Sequence, residues 1–399
     1  MISKVSTALL VCCSIFSGLC ASGQTSTDVA VTYQINRTHT GAKSTLGVTP
    51  PLTVQWTKDL GATVGYPLIA GGKVFVLAGD PSAGKVDLYA LDLVTGTTLW
   101  GPILIPQGAY WWAAAAYDNG KVFVVPNTTP GFGAGVMYAF DANSGSTLWI
   151  ATLPGQYFFT APPAALNGIV YTSGAGSGGT VYAVRESDGK VLWTASVMNG
   201  DNSSPVVTGT GVYVSYVCPQ TYKFAPKTGG LIWHYSGPCE GGGGATPVLY
   251  QGLLYVRDWS SSLGHNGDIL NATTGAVVGS FDANFAPAFV SGKAFYVQSN
   301  SVKAVNTTYG TTLWTAIPPS GDSYSTPPIV VDGVVYIGTN AGKLLGYKPG
   351  TGKNVVSMNM GSPISAQETG SVGTPESGLT AAQGFLLVPA STHLIALHH

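Results

Sequence analysis

One short pattern recurs seven times, and it constrains the fold more than anything else in the chain. Its first copy ends "VDLYALDLVTGTTLW", residues 86–100. The others are "MYAFDANSGSTLW" (137–149), "VYAVRESDGKVLW" (181–193), "TYKFAPKTGGLIW" (221–233), "GDILNATTGAVVG" (267–279), "VKAVNTTYGTTLW" (302–314) and "LLGYKPGTGKNVV" (344–356). Each places a glycine four residues after the Asp92-equivalent position. Four residues after that glycine comes a position that is tryptophan in five of the seven copies.

Two further signals precede each copy. One is a turn running into a strand, as in "YDNGKVFVVP" and "VDGVVYIGT"; the other is a short run of small residues with proline, as in "TAPPA" and "STPPI". Each unit therefore reads as four strands. Units of four short strands repeating every few tens of residues predict a β-propeller. Small residues suit the crowded innermost strands, and proline is tolerated where a strand begins. The turn glycine supplies a positive φ. A tryptophan on the outer strand is a flat plug between neighbouring blades, with an indole N–H able to reach a carbonyl.

An eighth unit, "AAQGFLLVPASTHLIALHH", stops at His399 without its outer strand. "LTVQWTKDL", residues 52–60, is such a strand with nothing before it. The expected fold is thus all-β: eight four-stranded antiparallel blades, closed by an N-terminal strand that completes the C-terminal blade. Closure leaves no open sheet edge. The docking positions are Trp56, Trp100, Trp149, Trp193, Trp233 and Trp314, six of eight. The expected organisation is a secretory leader at 1–23, a lead-in segment at 24–51 and one propeller from 52 to 399.

Composition narrows the function classes. Only 9 % of the 399 residues are charged and the net charge is −1, against a usual charged share of about 25 %. No basic field points to nucleic acid or anionic membrane. Glycine (54) and proline (25) are abundant while 45 % of residues are hydrophobic, which fits tight turns between short strands. Lys4, the apolar run after it and "ASG" at 21–23 read as a leader that exports the chain to the periplasm or the outside; lipidation at Cys20 is a weaker alternative, because Leu19 fills a position that wants a small residue. No later stretch is long and apolar enough for a transmembrane span. Beyond the leader only Cys218 and Cys239 remain. Both fall at one end of unit 4, so the expectations are a disulfide or two buried thiols.

The pattern "x-Y-A-L-D-x-x-T-G-x-x-x-W" resembles the repeat of pyrroloquinoline quinone (PQQ) propellers, a family that includes quinoprotein alcohol dehydrogenases and BamB-like proteins. Residues 33–41, "YQINRTHTG", resemble a lead-in segment of such propellers and are expected to pack along the ring. The resemblance implies an eight-bladed exported propeller and makes PQQ and Ca²⁺ candidate cofactors. The family's quinone enzymes carry vicinal half-cystines, but here the only adjacent cysteines are Cys12 and Cys13, in the leader.

Loops leaving the fourth strand and loops joining the second strand to the third emerge on one face, where function is expected. Tyr110, Trp111 and Trp112 there form an aromatic platform or pack beneath the loop. Arg257, Asp258, Trp259 and His265 gather polar chemistry on one connection, with Asp258 a candidate base and a surface ion pair the plainer reading. Glu240 beside "GGGG" is a weaker catalytic candidate. No zinc motif is present, so no metal site is expected. The leading expectation is a monomeric, non-catalytic propeller that binds a protein or glycan on this loop face. The alternatives are a compact PQQ- and Ca²⁺-dependent oxidoreductase and a carbohydrate-binding propeller.

Overall fold

The computed structural model describes residues 28–80, 83–105, 112–128, 134–159, 161–176, 178–200, 203–237, 245–257, 265–364 and 376–399. Eight antiparallel sheets succeed one another along the chain. Blade 1 comprises Leu68–Ala70, Lys73–Asp80, Lys85–Asp92 and Thr98–Leu104. Blades 2 to 7 span 113–154, 164–197, 206–236, 248–281, 288–316 and 329–359. Blade 8 comprises Thr380–Ala382, Phe385–Ala390 and His393–His398, and Thr53–Asp59 is its outer strand. Thr53 pairs with His398 and Asp59 with His393, so the ring closes in that register. No described residue is α-helical.

The six tryptophans set the junctions. Each indole Nε1 donates to a carbonyl in the next blade's third-to-fourth turn, at 2.8–3.2 Å: Trp56 to Leu93, Trp100 to Ala142, Trp149 to Glu186, Trp193 to Pro226, Trp233 to Ala272 and Trp314 to Pro349. Each ring also lies on that turn's glycine. A Cβ on Gly96, Gly145, Gly189, Gly229, Gly275 or Gly352 would sit 2.6–2.8 Å from the indole, and all six have φ of 69–76°. The glycine therefore serves twice, for the positive φ and for the close approach of the ring.

Strict in-and-out alternation does not hold on the inner strands. Val86, Asp87, Leu88, Ala90 and Leu91 are all buried, whichever way they point. Each blade is sandwiched between two others, so both its faces are core. Alternation survives on outer strands such as Val191–Val197, which flank solvent.

Residues 28–48 make one circuit of the central channel. The innermost strands leave their inner edges unpaired, and the segment supplies the partners as it advances. Ala30 exchanges two hydrogen bonds with Ile69 of blade 1, and Val31 accepts from Tyr117 N–H of blade 2. Thr32 donates to the Pro163 carbonyl, and the Arg37 guanidinium to that of Ala165, at blade 3. The carbonyls of Arg37, Thr38, Thr40 and Gly41 then accept from Val207, Leu249, Phe289 and Val330 of blades 4 to 7, at 2.7–2.9 Å. Thr45 Oγ1 accepts from Gly384 of blade 8. Asp332 fastens the end of the circuit: its carboxylate accepts from the N–H groups of Thr45, Leu46, Gly47 and Val48. Burial alone would raise its pKa, but these four donors hold it below the usual carboxylate range.

Candidate binding face

Side chains of the lead-in pack into one buried cluster with Tyr66, Trp112 and residues of blades 1 and 2. Tyr33 is fully buried, packing edge-on to Tyr66 (centroids 5.4 Å) and near His39 (6.1 Å). Tyr66 takes a hydrogen bond from Ile35 N–H and gives one to the Leu379 carbonyl. His39 Nδ1 lies 2.9 Å from the Pro247 carbonyl, which makes it the protonated nitrogen of a neutral ring; Nε2 lies 3.2 Å from Ser204 Oγ. Burial depresses the His39 pKa to about 4, against a smaller opposing effect of the Pro247 carbonyl.

Trp112 is 1 % exposed and backs onto Gly65, whose Cβ would come within 2.9 Å of its ring. It is buried and offers no face to solvent. Tyr110, Trp111, Asp258, Trp259, Glu240 and Cys239 lie outside the described residues. Cys218 is buried at the turn between the second and third strands of blade 4, with φ +60°.

The described ends of the 257–267 connection sit at the top of blade 5. Arg257 is 3 % exposed, and its Nη1 donates to the Asn284 carbonyl at 3.2 Å, tying blade 5 to the segment leading into blade 6. His265 Nε2 lies 3.3 Å from Asp268 Oδ1, and Tyr235 of blade 4 donates its hydroxyl to Asp268 Oδ2 at 2.8 Å. Burial, then the Asp268 carboxylate, push the Tyr235 pKa up, so it stays a neutral donor. Asn266 completes the corner: its N–H meets Asp282, and its side chain exchanges two hydrogen bonds with the backbone of Ala283. Tyr235, Asp268 and Asn266 were absent from the sequence reading. Asp268 carries a weak signal, a carboxylate where units 1 to 4 have tyrosine, although Lys303 fills the same position in unit 6. Tyr235 carried none, because its partner lies 33 positions away.

This corner brings two donors onto one carboxylate and joins two blades. It can orient a hydrogen-bonding partner. No three His, Cys, Asp or Glu side chains converge among the described residues, and Tyr33, Tyr66 and Trp112 belong to one buried cluster there.

Comparison with known proteins agrees with this geometry. The family described as outer membrane protein assembly factor BamB matches residues 133–280 and 221–396, more than half of the chain. The chain is 23 % identical over 338 residues to BamB of Yersinia pestis, covering 78 % of this chain and 82 % of that one. It is 24 % identical over 272 residues to a tetrathionate hydrolase of Acidithiobacillus ferrooxidans, covering 48 % of this chain and 54 % of the relative, so it spans about half of that protein's length. Among solved structures, BamB from Moraxella catarrhalis superposes with TM-score 0.63 at 16 % identity, over 87 % of this chain and all of that one. A europium-containing methanol dehydrogenase superposes with TM-score 0.70 at 14 % identity, over 93 % and 98 %. At such identities the structural likeness carries the fold alone.

Proposed function

Because the chain belongs to the outer membrane protein assembly factor BamB family, we propose that it is an exported, non-catalytic scaffold that binds a protein partner on its loop face. The observation that carries this reading is the lead-in circuit. Residues 28–48 bond to all eight blades, and Tyr33 packs edge-on to Tyr66 within that circuit. What remains open to recognition is the rim of loops. The leader at 1–23 and a Cys218–Cys239 disulfide belong to the same proposal, since an exported chain folds in an oxidising compartment.

The test places a photocrosslinking amino acid at His265 on the loop face and at Asn143 on the opposite turns, in the cell that makes the protein. A discrete protein adduct from position 265 alone supports the scaffold. The purified protein is also titrated with PQQ and Ca²⁺, and its binding to glycans is measured. Saturable quinone binding with dye reduction by alcohols would replace the scaffold with an oxidoreductase. Glycan binding without a protein adduct would replace it with a carbohydrate-binding propeller.

A further inference from the structure

Five tryptophans between the blades follow one recipe. Trp100, Trp149, Trp193, Trp233 and Trp314 each pack on an aromatic side chain of their own second strand, Phe75, Phe123, Tyr171, Tyr213 and Phe295, with centroids 5.8–6.0 Å apart. Each also lies on the next blade's turn glycine and donates to the carbonyl three residues before it.

The junction between blades 5 and 6 keeps every part of this recipe except the ring. Tyr255 pairs with Val248 just as Tyr213 pairs with Val206, so it holds the aromatic position. Gly310 has φ +68°, and nothing lies within 4 Å of where its Cβ would be; in the filled junctions the indole is there. Thr307, three residues before Gly310, offers the acceptor carbonyl. The tryptophan position itself is Gly279. A cavity of about 210 Å³ occupies the place, lined by Tyr255, Phe281, Tyr296, Lys303, Thr307 and Gly310 among others. Ile269 stands opposite Gly279, where alanine stands opposite Trp100, Trp149, Trp193 and Trp314, and it takes part of the space. Blade 7 also lacks its tryptophan, but Val356 there is packed into one cluster with Phe385 and Leu397.

We propose that this socket binds a planar aromatic ring with a single N–H or O–H donor, the indole class, stacked on Tyr255 and Gly310 with its donor on the Thr307 carbonyl. The equivalent junctions hold such a ring, and this cavity, which has Asp282, Gln298 and Lys303 on its polar side, is larger than the roughly 150 Å³ that holds benzene in an apolar site. The ring comes either as a free small molecule or as a side chain presented by a partner.

The test titrates the purified full chain with 5-fluoroindole, followed by ¹⁹F line broadening. Wild type should bind saturably. Gly279→Trp with Ile269→Ala should fill the socket and weaken binding at least tenfold while raising the melting temperature, and Gly279→Leu serves as a milder plug if the double variant misfolds. Competition by N-acetyltryptophanamide assigns the socket to a side chain; bound 5-fluoroindole that it cannot displace assigns it to a free ring. No saturable binding by wild type at millimolar concentration, or equal binding by the folded plugged variants, overturns the proposal.

Discussion

Lowering the pH should loosen the channel plug through one residue, His39. The ring is fully buried, and its pKa falls from an ordinary 6.5 to about 4. A group whose native pKa is depressed binds more protons in the unfolded chain than in the native one between the two values. Stability is therefore complete above pH 6.5 and is lost as pH falls toward 4. With these values the loss from pH 7 to pH 5 is about 2 kcal/mol, and the limit below pH 4 is about 3 kcal/mol. Asp332 and Asp322, whose pKa values are held down in the native state, add losses of the same sign only near and below the ordinary carboxylate range. Asp118, raised by burial beside Arg37, acts with the opposite sign from the carboxylate range upward, so histidine is the principal destabilising group between pH 5 and 7. His234, also depressed by desolvation, is more exposed and adds a smaller effect of the same sign.

His39→Gln isolates the effect. The amide nitrogen can donate to the Pro247 carbonyl, and the Ser204 hydroxyl keeps its donation to the Pro162 carbonyl at 2.7 Å, so the principal bond survives without a titrating group. Urea denaturation at pH 7, 6 and 5 should give wild-type midpoints that fall steadily with pH. The variant's unfolding free energy should fall by about 2 kcal/mol less, so the two stabilities approach or cross near pH 5. Parallel loss of stability in the two proteins would show that His39 does not stay neutral in the native state, and the reasoning would fail.

Trp233→Ala should cost about 3–5 kcal/mol, the usual range for deleting a buried tryptophan, and thermal denaturation measures it. Gly275→Ala should also destabilise, because its Cβ would meet the Trp233 ring at 2.8 Å and its φ is +76°. Pairing that variant with Trp233→Ala should recover part of the loss; purely additive costs would refute the stacking role. Deleting residues 1–60 should remove both the plug and the outer strand of blade 8, giving aggregation by size-exclusion chromatography rather than a soluble monomer. Asp332→Asn should destabilise by about 1–3 kcal/mol, because a single amide oxygen replaces a carboxylate that accepts four N–H groups.

The ring was legible in the sequence for a definite physical reason. Each blade solves the same packing problem, so Gly96 and Trp100 recur at fixed spacing, and Trp56 revealed closure because an outer strand cannot stand alone. The double use of the glycine was not legible: spacing discloses the turn at Gly96 but not that the indole lying on it comes from Trp56 of the preceding blade. The plug was seen only as a likeness in "YQINRTHTG", since its bonds join Arg37 to Val207 and Gly41 to Val330 through backbone atoms that any residue carries. The corner at Asp268 was half legible, because the sequence shows a misplaced carboxylate but not that Tyr235 answers it from another blade. A repeat therefore reports well on what every unit must do and poorly on what one unit does alone. The informative positions are those where a unit breaks the rule while its neighbours keep the fittings. Gly279 is such a position, because Tyr255, Thr307 and Gly310 still stand around the ring it omits.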